Sequence, residues 1–428
     1  MLNRNWLLTM LLPLLFLQGC GSPPVEEITA NPNATSAAPP LASVAQEDWP
    51  WWRGPTLDGH AAGPVSPLEW SSTKNVIWSS PIPGRGHATP TIWQNQIFVA
   101  TADKAAETMS LICYSREDGR ELWNREIHKG GFMHIHDKNS HASSTPACDG
   151  KFVYCTFMVQ GGIWVTAVDL EGIIAWQSKV SGFGSKHGYG SSPLLHDTRV
   201  IVPGDNHSGG FLAAVDRASG DVVWRVARKN TSSFASPVIA KIGGKEQILL
   251  SGQDEIVSYE PKSGEVLWKT KGPASTTANT MVWNQDLVFA SGGYPQRSIM
   301  AVKADGSGTV VWEQRNKVYV PSMLLIKNHL LAIQDDGIAR CFKADSGDEI
   351  WSKRLGGNFS ASPTVVGDYV MVPSESGTMY VFKPLPKFEL VSENSLDSAG
   401  FASPVICNGR LYLRTDRKLY CIGNTEAS

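Results

Sequence analysis

The chain has 428 residues, of which 42% are hydrophobic and 18% are charged, with 40 glycines and 26 prolines. Low charge and many turn-forming residues favour an all-β protein over a helical one. The formal net charge is −2, so there is no global basic field of the kind that nucleic-acid-binding proteins use.

The first residues have the features of an export signal. Arg4 precedes the apolar stretch WLLTMLLPLLFL (residues 6–17), which is too short to span a bilayer comfortably. Gly19 and Cys20 then complete a lipobox-like pattern. We therefore predict that residues 1–19 are a lipoprotein signal peptide and that Cys20 is lipidated. The alternative is an ordinary secretory signal with a chance cysteine.

The residues after Cys20 bear on localisation and on the start of the folded domain. Gly21, rather than Asp, follows the cysteine, which by the usual Gram-negative sorting pattern predicts a periplasmic protein anchored to the outer membrane. Residues 20–47 are rich in Pro, Ala, Ser and Asn, a composition typical of a flexible tether. The folded part is predicted to start at Asp48. The six later cysteines show no metal-binding spacing and are expected to be mostly buried small hydrophobic residues.

One repeated unit is a strand, a tight turn containing Asp, Ser or Gly, and a second strand that carries a tryptophan. The stretch FLAAVDRASGDVVW (residues 211–224) is a clear instance. The turn glycine permits positive φ, and the flanking alternation predicts a hairpin. A tryptophan at a fixed place indicates an aromatic wedge between neighbouring sheets. The tryptophans at this place are Trp123, Trp176, Trp224, Trp268, Trp312 and Trp351.

A second unit alternates with the first. It is a Ser/Thr-Pro step followed by two apolar strands, with Met in place of Pro in two units. The unit occurs eight times, opening near Pro90, Pro146, Pro193, Pro237, Met281, Met323, Pro363 and Pro404. The spacing of 40 to 56 residues is typical of a solenoid, an array or a propeller. Two hairpins per period make a four-stranded propeller blade.

The two ends of the chain supply complementary parts of one blade. The eighth unit ends without a tryptophan strand, and Asn75–Trp78 precedes the first blade. We predict that this N-terminal strand completes the last blade, giving a single eight-bladed β-propeller over residues 48–424. The alternatives are a seven-bladed ring with one decayed unit and an open solenoid, which would leave sheet edges unpaired.

The repeat Asp216-Arg217-Ala218-Ser219-Gly220 before Trp224 resembles that of pyrroloquinoline-quinone (PQQ) type propellers. Residues 49–55 (WPWWRGP) and 355–363 (LGGNFSASP) also look like PQQ-like propellers that are abundant in planctomycete-type bacteria. The resemblance covers nearly all of residues 49–422 and implies the fold. It implies less about function, because a fold does not determine an activity.

Two functional families share this fold, and the resemblance implies a different role for each. BamB-like lipoproteins of the outer-membrane barrel-assembly machinery are eight-bladed and bind no cofactor; quinoprotein dehydrogenases hold PQQ and calcium in the axial funnel. The chain is similar to the first group in its length, its lipobox and its propeller without long inserted loops. It lacks the adjacent cysteine pair of the second group and an evident set of oxygen ligands for calcium.

The resemblance therefore implies a non-enzymatic, lipid-anchored scaffold with protein partners in the cell envelope and no cofactor. A PQQ-dependent oxidoreductase, and a sugar- or metal-binding propeller, are kept as alternatives. No catalytic residue is assigned. Asp169, Asp216, Asp305 and Asp345 lie in repeat turns, where a carboxylate is expected to cap backbone N–H groups rather than to catalyse.

The histidines are unevenly distributed. Four fall within HKGGFMHIHDKNSH (residues 128–141), and others precede the first strands of two units. Residues just before a blade's first strand tend to surround one mouth of the channel, so a ligand or metal site is predicted there. The alternative is a polar rim that joins the connecting loops. The candidate residues are His87, Asn139, His141, Lys186, His187, Tyr189 and Tyr319.

Overall fold

The computed structural model describes residues 25–396 and 398–425, so the predicted signal peptide and Cys20 lie outside the described residues. Those residues form strands, turns and loops without a helix, and so contain no helix that could cross a membrane. Two short strands precede the first blade, β1 (His60–Ala61) and β2 (Val76–Pro81).

The strands that follow are grouped, in chain order, into eight blades. Blade 1 contains β3 (Thr91–Trp93), β4 (Gln96–Asp103), β5 (Thr108–Ser115) and β6 (Glu121–Lys129). Blade 2 contains β7 (Ala147–Cys148), β8 (Phe152–Val159), β9 (Gly162–Asp169) and β10 (Ile174–Gly182). Blade 3 contains β11 (Leu194–His196), β12 (Arg199–Pro203), β13 (Gly210–Asp216) and β14 (Val222–Arg228). Blade 4 contains β15 (Val238–Ile242), β16 (Lys245–Gly252), β17 (Glu255–Tyr259) and β18 (Val266–Lys271).

The second half of the ring repeats this arrangement. Blade 5 contains β19 (Val282–Trp283), β20 (Leu287–Gly292), β21 (Ser298–Lys303) and β22 (Val310–Gln314). Blade 6 contains β23 (Leu324–Ile326), β24 (His329–Ile333), β25 (Ile338–Lys343) and β26 (Glu349–Arg354). Blade 7 contains β27 (Thr364–Val366), β28 (Tyr369–Pro373), β29 (Thr378–Lys383) and β30 (Glu389–Ser395). Blade 8 contains β31 (Val405–Cys407), β32 (Arg410–Arg414) and β33 (Lys418–Ile422).

Blade 8 is completed by the N-terminal strand β2. It pairs antiparallel with β33, and the register places Val76 opposite Ile422 and Trp78 opposite Cys421. The prediction of an eight-bladed propeller closed by the N-terminal strand is therefore confirmed. Closure removes the open sheet edge that a solenoid would leave at each end.

The repeat tryptophans connect successive blades through the turn of the repeat. The indole N–H of Trp176 in blade 2 donates to the carbonyl of Arg217 in blade 3, at 3.0 Å. The turn itself is capped by Asp216, whose Oδ1 accepts the backbone N–H of Ala218 at 2.9 Å and of Ser219 at 3.0 Å. Equivalent contacts run from Trp78 to Arg116, from Trp123 to Leu170, from Trp312 to Ala344 and from Trp351 to Pro384.

The second and third strands of each blade form much of the core. Their side chains are almost completely buried, for example over β8, β13 and β20. The six cysteines of the described residues all lie in blade strands and are buried. Because burial disfavours the thiolate, the pKa of the Cys113 and Cys155 thiols is raised to about 12.

The ring has two different faces. On the mouth face, the outer strand of one blade continues to the inner strand of the next. On the closed face lie the turn between the first two strands of each blade and the repeat turn. The segment 48–61, here called the axial segment, crosses the closed face. Trp49 exchanges both backbone hydrogen bonds with Ile92 of blade 1 at 2.9 Å, and β1 pairs parallel with β27 of blade 7.

Residues 25–47, here called the strap, were expected from composition to form a flexible tether. In the structure they run down the outer edge of blade 3 and then under the ring to the axial segment. Ile28 forms a β-bridge with Arg225 of β14, and the Pro39 carbonyl accepts the Arg217 guanidinium. Leu41 and Val44 pack on the cores of blades 1 to 3. Composition did not indicate these contacts, which depend on a few apolar residues spaced along a polar segment.

Candidate functional site

A funnel of about 610 Å³ lies on the ring axis and opens at the mouth face. This volume is within the usual range for small-molecule sites. Loops from blades around the whole ring contribute to it, because each blade supplies the residues before its first strand. Aromatic rings from separate loops line the wall: Phe234, Phe359, Phe401 and Tyr319.

Trp52 of the axial segment is the floor of the funnel. Its indole N–H donates to Thr280 Oγ1 at 2.8 Å, which fixes the orientation of the ring. The next residue, Arg53, is buried and donates from Nη2 to the Met323 carbonyl at 2.6 Å. From the sequence alone, residues 49–55 indicated the start of the folded part and a resemblance to PQQ-like propellers, but no place in the funnel. Their role depends on contacts with distant blades, which composition and spacing do not indicate.

A ring of Ser and Thr hydroxyls surrounds the neck of the funnel. In six of eight places, the backbone N–H of one blade's Ser/Thr donates to the hydroxyl oxygen of the equivalent residue in the next blade, at 2.8 to 3.0 Å. Each such hydroxyl keeps its own hydrogen for another acceptor. The residues are Thr89, Thr145, Ser192, Ser236, Thr280, Ser322, Ser362 and Ser403. From the sequence alone, the Ser/Thr-Pro step is recognisable only as a marker of the repeat.

The histidine-rich connection between blades 1 and 2 lies over the mouth. Lys138 Nζ contacts Glu375 Oε2 of blade 7 at 3.2 Å, and Ser360 donates to Glu375 Oε1 at 2.7 Å. On the other side, Asn139 Nδ2 donates to the His187 carbonyl at 2.7 Å. The loop is therefore attached to blades on both sides of the funnel.

The structure brings together four of the seven residues predicted for the mouth. His87, Asn139, His187 and Tyr319 line the funnel. His141 instead packs against Phe132, with ring centroids 4.2 Å apart. Tyr189 is buried and donates to the Pro203 carbonyl at 3.0 Å, and Lys186 is exposed outside the lining. These three residues therefore lie outside the lining of the funnel.

Burial controls the protonation of two groups in the funnel. The ring of His87 stacks on Phe401 with centroids 4.5 Å apart, and burial, with Arg85 and Arg414 nearby, lowers its pKa to about 3. Burial also raises the pKa of Asp335. The backbone N–H groups of Tyr319 and Val320, which donate to its carboxylate, lower that pKa but do not outweigh burial. His87 is therefore neutral at physiological pH.

The family model described as "outer membrane protein assembly factor BamB" (PQQ_2) matches residues 68–181, 109–339 and 334–423. Together the matches cover most of the chain. The chain belongs to this family. The resemblance to PQQ-like, BamB-like propellers is thus confirmed.

Individual relatives of this BamB-family protein are distant in sequence. It is 20% identical over 377 residues to outer membrane protein assembly factor BamB of Yersinia pestis, covering 82% of this chain and 89% of that protein. BamB from Moraxella catarrhalis superposes with a TM-score of 0.60 at 15% identity, covering 81% of this chain and 98% of that one. Quinohemoprotein alcohol dehydrogenase from Comamonas testosteroni superposes with a TM-score of 0.69 at 11% identity, covering 89% of this chain and 82% of that one. The structural likenesses establish the fold alone.

The quinoprotein likeness raises the question of whether PQQ and calcium would fit this funnel. Both Asp335 oxygens accept backbone N–H groups at 2.8 and 3.2 Å, and Glu375 is occupied by Lys138 and Ser360. Among the described residues, no three His, Cys, Asp or Glu side chains are placed to share a metal ion. The carboxylates of the funnel are therefore not clustered around one point in the way that a calcium-bound cofactor would favour.

Proposed function

We propose that this BamB-family protein is a non-enzymatic, lipid-anchored propeller of the cell envelope that helps to assemble outer-membrane proteins. The observation that carries the proposal is the family match over residues 68–423. Cys20, as the lipidated residue, holds the protein on the periplasmic side of the outer membrane. Partner proteins bind to the rigid ring, which presents loops and strand edges at fixed positions.

The outer edges of the blades support a role in protein binding. The last strand of blade 4 exposes Val266 and Leu267 to 53% and 46%, and in blade 5 Val310 and Val311 are also exposed. An outer strand also has unpaired backbone groups, so an extended segment of a partner can add to it.

The proposal is tested by removing the protein from its native cells and measuring outer-membrane β-barrel proteins by quantitative mass spectrometry. We expect their abundance to fall and to be restored by the wild-type chain. A Cys20→Ala variant, produced at equal level, should fractionate with soluble periplasmic proteins. Unchanged β-barrel abundance would contradict the assembly role, and membrane retention of Cys20→Ala would contradict the lipid anchor.

A second candidate function is the binding of a small organic ligand in the funnel. It is favoured by the aromatic floor of Trp52, by the aromatic wall, and by neck hydroxyls such as those of Ser192 and Ser236, which accept a backbone N–H and have a hydrogen left to donate within the described part of the chain. Together these groups suit a flat ligand that is rich in hydrogen-bond acceptors and needs no metal.

This candidate is tested by calorimetry, in which protein lacking residues 1–20 is titrated with PQQ. The titration is carried out once with Ca²⁺ and once without it. Calcium-independent binding that Trp52→Ala abolishes would support the funnel site. Absence of heat at micromolar PQQ would leave the funnel without this class of ligand. Binding that depends on calcium would overturn the proposal of a ligand that needs no metal.

A further inference from the structure

The strap enters the structure at one defined point of the propeller, the mouth-face edge of blade 3. Val25 packs against Gly209, close enough that a β-carbon there would lie 2.7 Å from Val25 Cγ2. Gly209 belongs to the loop that joins β12 to β13 on the mouth face. The same loop approaches the funnel rim, since Ser208 Oγ lies 3.1 Å from the place that a β-carbon on Gly184 would take, in the connection that leads to His187.

The strap is held at this point by a short antiparallel pairing with β14. The N–H of Ile28 donates to the Arg225 carbonyl, and the N–H of Arg225 donates back to Ile28, both at 2.9 Å. Arg225 Nη1 donates to the Glu26 carbonyl at 2.7 Å, and the N–H of Ala227 donates to Glu27 Oε1 at 2.9 Å. Four hydrogen bonds within three residues make this a fixed attachment rather than a passing contact.

The strap then continues to the opposite face. β14 has seven residues, which corresponds to roughly 23 Å of strand. The strap follows it towards the closed face, where Arg217 donates to the Pro39 carbonyl. Its N-terminal end therefore lies on the mouth side of blade 3, and its C-terminal end continues into the axial segment on the closed side.

Four residues lie between Cys20 and Val25, and the five Cα–Cα steps that they make reach at most about 17 Å when extended. We infer that the strap orients the propeller on the membrane, with the mouth-face edge of blade 3 nearest the lipid and the closed face turned away. The surface that meets the lipid headgroups is thus the mouth side of blade 3. The inference rests on the proposed lipidation of Cys20.

This orientation determines what each surface can reach. The funnel opens towards the membrane, so any ligand of the funnel would enter from that side. The repeat turns of the closed face project into the periplasm. The exposed outer strands of blades 4 and 5 face sideways, where a partner anchored in the same membrane could approach.

The orientation is tested with the full-length, lipidated protein in vesicles of phosphatidylethanolamine and phosphatidylglycerol. His207→Cys on the mouth face and Ser219→Cys on the closed face of blade 3 are each labelled with a fluorophore; both positions are exposed, whereas the six native cysteines of the described residues are buried. Quenching by a nitroxide carried on a lipid headgroup is then measured. We expect quenching at residue 207 to be several-fold greater than at residue 219.

A third variant weakens the attachment. Ile28→Pro loses the N–H that donates to Arg225 and cannot pair as a strand. The next residue of the strap that packs on the core is Ala30, so the tether lengthens from five Cα–Cα steps to ten, about 34 Å when extended. We expect the difference between residues 207 and 219 to shrink. An undiminished difference would show that the strap does not set the orientation.

Two failures can be told apart by mass spectrometry of the N-terminal peptide. If Cys20 carries no lipid, the anchor and the orientation are both overturned. If Cys20 is lipidated and residues 207 and 219 are quenched equally, or residue 219 more, the orientation alone is overturned and the proposed anchor stands.

Discussion

The indole ring of Trp176 occupies the space next to Gly220 in which a β-carbon would lie, with Cε3 2.6 Å from that position. Trp176 belongs to blade 2 and Gly220 to the repeat turn of blade 3. The turn glycine and the tryptophan of the repeat are therefore two halves of one contact between neighbouring blades. Gly220 also has a φ of +82°, which an L-residue with a side chain rarely adopts.

Replacement of Gly220 by Ala is expected to destabilise the ring through both effects. Gly243 provides a matched control, because it has a φ of +58° but no atom within 4 Å of a β-carbon. Both Ala variants carry the backbone strain, and Gly220→Ala should cost about 1 to 3 kcal/mol more because the indole must move. Urea unfolding measures both. Equal losses would mean that the turn does not depend on the contact with Trp176.

The repeat tryptophans differ in whether the indole N–H group contributes a hydrogen bond to the stability of the fold. Trp224 is completely buried, and its Nε1 has no hydrogen-bond partner in the described parts of the chain. Trp224→Ala should lower the free energy of unfolding by about 3 to 5 kcal/mol. Trp268 donates to Gln247 Oε1 at 2.8 Å, so Trp268→Phe should cost about 1 kcal/mol more than Trp224→Phe. The reverse order in urea unfolding would indicate that packing alone decides the cost.

The sequence predicted the features that repeat. The Ser/Thr-Pro steps and the tryptophan strands recur at a regular spacing, so the number of blades and the closing strand that contains Trp78 could be derived from the pattern. The mouth site was predicted only in part, since repeat spacing places His187 near the axis but does not say which way its neighbour Tyr189 points. Trp52 and Ile28 occur outside the repeat, and their contacts with Thr280 and Arg225 depend on the assembled ring.

The ion pair between Lys138 and Glu375 is expected to fix the loop over the funnel without adding much to global stability. Lys138 is largely exposed, and exposed ion pairs contribute about 0 to 1 kcal/mol. Lys138→Ala should therefore leave the melting temperature nearly unchanged but speed hydrogen exchange in residues 130–140. Lys74→Ala removes the exposed pair with Glu69, which is not part of the funnel lining, and is the control. Unchanged exchange in Lys138→Ala would show that Asn139 and its contact with His187 hold the loop unaided.

The buried imidazole of His87 should make stability depend on pH. Its pKa is about 3 in the folded protein, whereas the ordinary value for a histidine, taken here for the unfolded chain, is 6.5. Above pH 6.5 the imidazole is therefore neutral in both states, and its contribution to stability is complete. As the pH falls below 6.5, the unfolded state binds a proton that the folded state does not. The free energy of unfolding therefore falls by about 1.4 kcal/mol per pH unit for this one group.

His87→Asn removes this group, whereas other buried histidines such as His128, whose pKa burial lowers to about 4, remain in both proteins. The measurement is urea unfolding of the wild type and the variant from about pH 7 to about pH 4, where linkage predicts that their difference in stability changes steadily. His134→Asn, at an exposed position of the mouth loop, is the control and should follow the wild type. A difference between wild type and His87→Asn that stays constant with pH would mean that His87 accepts its proton in the folded protein as readily as in the unfolded chain. The mouth loop would then have to admit water to the imidazole, since burial between Phe401 and the loop is what excludes the charged form.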